Sequence, residues 1–332
     1  MPADTVSPLH ESSSERRYHE TNAAYVLPND NTEHKRLEVQ ADLLREMMKG
    51  QTTHVPLDAS ATHKALDIGC GTGIVTHHIA SQVPNAQVYG LDLSPVPFVR
   101  EKLPNIEYIQ ANFNDLTNPK DPDPRFGTGT FDYVFSRLLV LGMTNWKDYV
   151  NRCVALTKPG GWIEMQDLAI SYYRAPDPLT PSQRAALEPH SLNLSEFKSQ
   201  VHPTDTWHNA CDWAKTFQEL CAAKAMDATC GQQLPGMFSA AGLEDVHIKR
   251  YTYAVAPWEG LTKAEKKFGE FHRDNMGLLI PRLIKKLAEG QHVVSQEDVE
   301  KACEGAERDA IEWREQRGFV FFYVVYGRKP KP

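Results

Sequence analysis

Paired cysteines are missing from this chain of 332 residues: Cys70, Cys153, Cys211, Cys221, Cys230 and Cys303 form no C-x-x-C pair and no Cys/His spacing typical of zinc. No metal site is therefore expected, and reduced thiols inside a cell are the expected state. No apolar run approaches the length needed to cross a bilayer, so no membrane span is expected. The first residues carry Asp4, Glu11 and Glu15 and hold no apolar signal-peptide core. Cytoplasmic placement is expected, with the nucleus as the alternative. Positive charge is scarce too, since 36 Lys and Arg face 43 Asp and Glu for a net charge of −7. No global positive field favours nucleic acid, and DNA is not an expected partner. What is present is 41% hydrophobic residues, enough for one large core or a core with an appended subdomain.

The most informative stretch is Ala65-Leu66-Asp67-Ile68-Gly69-Cys70-Gly71-Thr72-Gly73-Ile74-Val75-Thr76. A short apolar run holding one acid, then three alternate glycines, leads into a segment with helical spacing. It reads as strand, tight loop and helix start, with glycines that let a ligand lie close to the main chain. A dinucleotide site wants G-x-G-x-x-G. Here the pattern is G-x-G-x-G, and Asp67 stands two residues before the first glycine. A carboxylate there would repel a pyrophosphate but could accept hydrogen bonds from an amino group. The next strand, Gln87-Val88-Tyr89-Gly90-Leu91-Asp92, ends in an acid about twenty residues beyond the glycines, where a carboxylate meets ribose hydroxyls. An ammonium at one end and a ribose at the other describe S-adenosylmethionine.

At this point the sequence resembles the class I S-adenosylmethionine-dependent methyltransferases, whose first motif looks like Leu66 to Gly73. Leu156 through Gly161, Leu-x-Lys-Pro-Gly-Gly, strongly resembles the turn before their fifth strand. Tyr25-Val26-Leu27-Pro28-Asn29-Asp30, with Glu33 and Arg36-Leu37, looks like the opening of the fungal LaeA-like and UMTA-type group found with secondary metabolism. The resemblance implies an α/β fold: a Rossmann-like sheet of seven strands, mostly parallel with the last antiparallel, helices on both faces and an added helical lid. It implies S-adenosyl-L-methionine as cofactor, held by Asp67, Gly69, Cys70, Gly71, Gly73, Asp92 and Leu93. Asn112 and Phe113 occupy the places where relatives read the adenine amino group and cover its ring. Many relatives have Asp where Asn112 stands, which leaves open whether its side chain or the adjacent amide does the reading. Tyr25 is a candidate contact for cofactor or substrate.

In chain order, residues 1–17 read as a polar tail, and 18–62 as a helical cap and polar linker. In the cap, a helix from about Thr32 to Met48 turns Leu37, Leu44, Met47 and Met48 inward and Glu33, Lys35, Glu38 and Arg45 largely outward. Residues 63–167 form the cofactor-binding core, where Ser94-Pro95 opens a helix after the second strand. Its fourth strand, Phe131–Phe135, delivers Ser136 and Arg137 to the ligand side. Arg137 is a candidate for the methionyl carboxylate, for substrate, or for a structural ion pair. Trp162 and Glu164 read as sheet packing, while Gln166 and Asp167 fall at a strand end facing substrate. Residues 168–230 are a helical insertion over the active site, with a helix from about Asp205 to Met226 carrying Trp207 near its start. Residues 231–332 complete the sheet and add a two-helix lid at about 258–317, in which Pro281 breaks or bends the first helix.

A sulfonium methyl is already activated, so the protein mainly aligns nucleophile, carbon and sulfur and excludes water. No residue pair has the spacing of a nucleophile with its activator. His19, His272 and Asp167 are candidate bases; Gln166, Trp207, Phe271 and Met276 are candidate substrate contacts. The expected function is methyl transfer to an oxygen, nitrogen or sulfur of a small metabolite. The alternatives are a LaeA-like cofactor-binding regulator acting through protein partners, and a protein or RNA methyltransferase.

Overall fold

A computed structural model describes residues 30–118, 123–199, 207–209 and 211–332, without the side chains of 208–209, 276–278 and 313–316. The tail, His19 and Tyr25 lie outside the described residues. One sheet organises the molecule. Its strands are β1 (Lys64–Ile68), β2 (Gln87–Asp92), β3 (Ile106–Gln110), β4 (Phe131–Arg137), β5 (Thr157–Arg174), β6 (His190–Asn193), β7 (His208–Asn209), β8 (Glu244–Ala254) and β9 (Gly318–Arg328). The order is β3-β2-β1-β4-β5-β9-β8-β6, with β7 pairing beside β5. Strands β1 to β5 pair in parallel, and β9 runs antiparallel between β5 and β8. This is the expected seven-strand path with two short strands added by the insertion.

Side chains of successive residues go to opposite faces of a strand, and both faces here are covered. Leu66 and Ile68 of β1 and Val134 of β4 join one hydrophobic cluster, whereas Ala65, Tyr133 and Phe135 join the other. The helix Ile74–Gln82 packs against β1 and β2. The cap helix Asn31–Met47 starts at Asp30, whose side chain accepts from the Glu33 amide at 2.9 Å. It lies against the long helix Lys263–Ala288, and Lys267 pairs with Glu46 across that contact at 2.8 Å.

Several expected features differ. Glu33 is buried rather than outward, because Arg36 meets its carboxylate through Nε at 2.9 Å and Nη2 at 2.7 Å, so the pair is buried together. No helix follows Ser94-Pro95. Pro95 and Pro97 both lack an amide donor, and each disfavours helical angles in the residue before it. β5 continues to Arg174, past the point where the insertion was expected to begin. The insertion helix spans Trp213–Ala223, and Trp207 lies ahead of it. The helix Lys263–Ala288 continues through Pro281.

The expected polar linker after Gly50 is partly core: Thr52, Thr53, His54 and Val55 are buried. The cause is Glu164 on β5. It accepts from the amides of His54 (3.0 and 2.9 Å) and Val55 (3.1 Å), the Tyr133 hydroxyl (2.9 Å) and Gln166 Nε2 (2.7 Å). The His54 ring stands 3.1 Å from Glu164 and 3.1 Å from the Tyr251 hydroxyl. Burial alone would raise the Glu164 pKa, but these donors hold it below the usual carboxylate value. The segment that follows the cap helix is thereby fixed to the centre of the sheet.

Candidate functional site

The carboxyl ends of β1, β2 and β4 open onto one cavity, which the cap helix, β8, β9 and the long helix enclose from the other side. The glycine loop forms its floor. Gly69, Gly71 and Gly73 have φ of +69°, +55° and +74°, values that L side chains rarely adopt. A Cβ on Gly69 would strike Leu139, and one on Gly73 would strike the Tyr108 hydroxyl. The loop is pinned to β2, because Gly69 N and Cys70 N both donate to Leu91 O, at 2.8 and 3.0 Å.

Two carboxylates line the cavity, Asp67 and Asp92. Asp92 Oδ2 accepts from Gly71 N at 2.8 Å, and Oδ1 from Ser94 N at 3.0 Å. Asp67 is buried and takes the Thr76 hydroxyl at 2.6 Å. Burial pushes its pKa up to about 6, against the opposing effects of Thr76 and the Arg137 charge. Arg137 also lines the cavity, and burial brings its pKa down to about 10. Its buried Nη1 has no hydrogen-bond partner among the described residues. An under-supplied carboxylate and an unsatisfied guanidinium nitrogen beside a glycine cradle fit a ligand bearing an ammonium and a carboxylate.

Of the candidates from sequence, Asp67, Gly69, Cys70, Gly71, Asp92, Arg137 and His272 line the cavity. Gly73 shapes the loop as the first residue before the helix Ile74–Gln82. Leu93 is half-buried, and its carbonyl accepts from Gln110. Asn112 caps the short helix Phe113–Leu116 through Asn114 N at 3.0 Å. Phe113 is buried edge-on to Tyr149 at 5.3 Å, and Ser136 is buried. None of Leu93, Asn112, Phe113 and Ser136 is among the cavity-lining residues.

The strand-end pair behaves differently from its expectation. Gln166 is buried and bonds Glu164 and the Thr52 carbonyl. Asp167 is buried with its carboxylate on Leu139 N at 2.7 Å and Leu168 N at 2.9 Å. Burial raises its pKa to about 7; it holds the turn after β4 and is not among the cavity-lining residues. Trp207 is buried edge-on to Phe319 at 5.1 Å, and Phe271 packs on Phe268 at 5.8 Å. Both are core. The Met276 side chain lies outside the described ones.

Sequence reasoning passed over the roof residues Gln40, Tyr172, Tyr253 and Val320 and the wall after β4, Leu138–Leu141, which also line the cavity. Leu138 has φ +56°, which turns the chain across the strand ends. Nothing in the local sequence marks these positions.

A family model described as a methyltransferase domain matches residues 66–163. The chain is 29% identical to methyltransferase pytC of Aspergillus terreus over 179 residues, covering 53% of this chain and 52% of that one. It is 28% identical to the protein-methionine methyltransferase laeA of Emericella nidulans over 176 residues, 49% of this chain and 44% of that one. The chain thus spans about half the length of these relatives. Among solved structures, a Haemonchus contortus phosphoethanolamine N-methyltransferase in complex with S-adenosylhomocysteine is 16% identical, with a TM-score of 0.45 over 89% of this chain and 53% of that one.

Proposed function

We propose that this chain, which carries a methyltransferase domain similar to those of fungal secondary metabolism, binds S-adenosylmethionine and methylates an oxygen, nitrogen or sulfur of a small metabolite. One observation carries the reading: Asp67 and Asp92 flank a bare glycine loop at the ends of adjacent strands, with Arg137 unsatisfied beside them. Asp67 takes the ammonium, Asp92 the ribose hydroxyls and Arg137 the methionyl carboxylate. The bound cofactor supplies a methyl group on a sulfonium, whose leaving group is a neutral thioether. The protein's own work is alignment and exclusion of water. Leu139, Val140 and Leu141 wall the cavity with apolar atoms, and Asp167 holds that wall through Leu139 N.

No described helix is long and apolar enough to cross a membrane. A second reading, a LaeA-like regulator acting through protein partners, is favoured by Ile311, 82% exposed on the helix Gln296–Gln316, and Val293, 62% exposed just before it. The two readings separate by mass spectrometry of candidate metabolites incubated with the protein and S-adenosylmethionine. A gain of one methyl on a metabolite supports the first. Cofactor binding without turnover, together with a co-purifying partner that Ile311→Lys releases, supports the second.

A further inference from the structure

The cavity is chemically divided. Both of its carboxylates, Asp67 and Asp92, belong to the glycine-loop end. The rest of the described lining is largely aliphatic, Leu139 lying against Gly69 and Val140, Leu168, Ile170, Leu279 and Val320 continuing the wall to the far end at Tyr253 and His272. Polar atoms at that far end come from Tyr172, Tyr253, His272 and, on the cap helix, Arg36 and Gln40.

Counted together with Glu33, which pairs with Arg36, these polar groups carry no net charge. Arg36 is held by Glu33 through two nitrogens, and its Nη1 donates to Gln40 Oε1 at 3.3 Å. Gln40 Nε2 in turn reaches the Tyr253 hydroxyl at 3.5 Å. Burial pushes the Tyr253 pKa up to about 12, so its hydroxyl keeps the proton. His272 stands edge-on to Tyr253, ring centroids 5.3 Å apart. Burial first, and then the Arg36 charge, brings its pKa down to about 3, so its imidazole is neutral.

We propose that this far end receives the methyl acceptor, an apolar molecule without positive charge whose hydroxyl sits against Tyr253 and His272. The inference rests on the methyltransferase reading above. A neutral imidazole and a phenol each offer a donor and an acceptor, and a hydroxyl does the same. An ammonium is donor-only and would be buried among aliphatic side chains, where the nearby Glu33 carboxylate is already taken by Arg36. A carboxylate or phosphate is acceptor-only, and the cation at that end, Arg36, already faces Glu33. Tyr253 and His272 are thus specificity-determining residues that orient the hydroxyl.

The test is calorimetry on the full chain loaded with S-adenosylhomocysteine, using three probes of one ring size: naphthol, naphthoate and naphthylmethylamine. Naphthol should bind about tenfold or more tightly than the amine, the discrimination expected when a charge is left unpaired in an apolar site. His272→Phe and Tyr253→Phe should each weaken naphthol severalfold and leave S-adenosylhomocysteine affinity and Tm in place. Leu279 is half-buried at the cavity wall, and Leu279→Glu should invert the preference toward the amine. Equal or tighter binding of the amine to the unaltered protein, a tenfold preference for naphthoate, or no binding of any probe at millimolar concentration overturns the inference. Failure of S-adenosylhomocysteine itself to bind removes the underlying methyltransferase reading instead.

Discussion

Glu164 and Asp67 are both buried carboxylates in the middle strands of one sheet, yet their surroundings differ. Glu164 collects donors from the His54 and Val55 amides, Tyr133, Gln166 and the His54 ring, and its pKa is held low. Asp67 has the hydroxyl and the amide of one residue, Thr76, among the described ones, and burial pushes its pKa up to about 6. A carboxylate fully supplied by the chain fastens the fold. One left short of donors at a cavity is poised for a ligand. Residue type alone does not separate the two roles; the inventory of donors does.

The largest effect is expected at Glu164. Replacing it with Ala leaves several buried donors without their acceptor, and should cost about 3–5 kcal/mol of stability, read from denaturant unfolding. A loss below about 1 kcal/mol would mean that water or local rearrangement replaces it, and Glu164 would not be the fastener. Next comes Asp92→Ala, which should weaken S-adenosylmethionine by about 1.5–3 kcal/mol, the range for hydrogen bonds to a charged group, with little change in Tm. Unchanged affinity would remove the ribose assignment.

A subtler change concerns protonation of Asp67. An ammonium beside it favours the ionised form, so its pKa falls in the complex relative to the free protein. Affinity is therefore full above about 6 and is lost as the pH falls through that value. Calorimetry from mildly acid to neutral pH should show this slope, and Asp67→Asn should flatten it at lower overall affinity. A slope that persists in the variant would place the titrating group elsewhere. The smallest effect is expected at the entrance to the cap: Asp30→Ala removes the helix cap and should cost about 1 kcal/mol in thermal unfolding.

Legibility from sequence followed the range of the interactions. The glycine loop, Asp92 and the Lys-Pro-Gly-Gly turn are local signals whose backbone demands are written in consecutive residues. The strand order and the floor of the cavity could be read from them. The roof could not. Arg36, Tyr253, His272 and Val320 meet through packing of the cap helix, β8, the long helix and β9, elements far apart in the chain. Glu33 and Arg36 carry charges that a periodicity reading turns outward, yet they face inward because they neutralise one another. The strand ends differ: Arg137, after β4, lines the cavity, while Phe113, after β3, packs edge-on to Tyr149 and does not. Leu168 to Arg174 carry a strand pattern, but the prolines that follow drew them into the expected insertion.

The most direct test of the account is titration calorimetry of the purified full chain with S-adenosylhomocysteine and, separately, with NADH. Binding of the nucleoside that weakens in Asp92→Ala, with no heat from the dinucleotide, is the expected result. A silent titration with the nucleoside, or tight uptake of NADH, would contradict the assignment of this loop and its two acids.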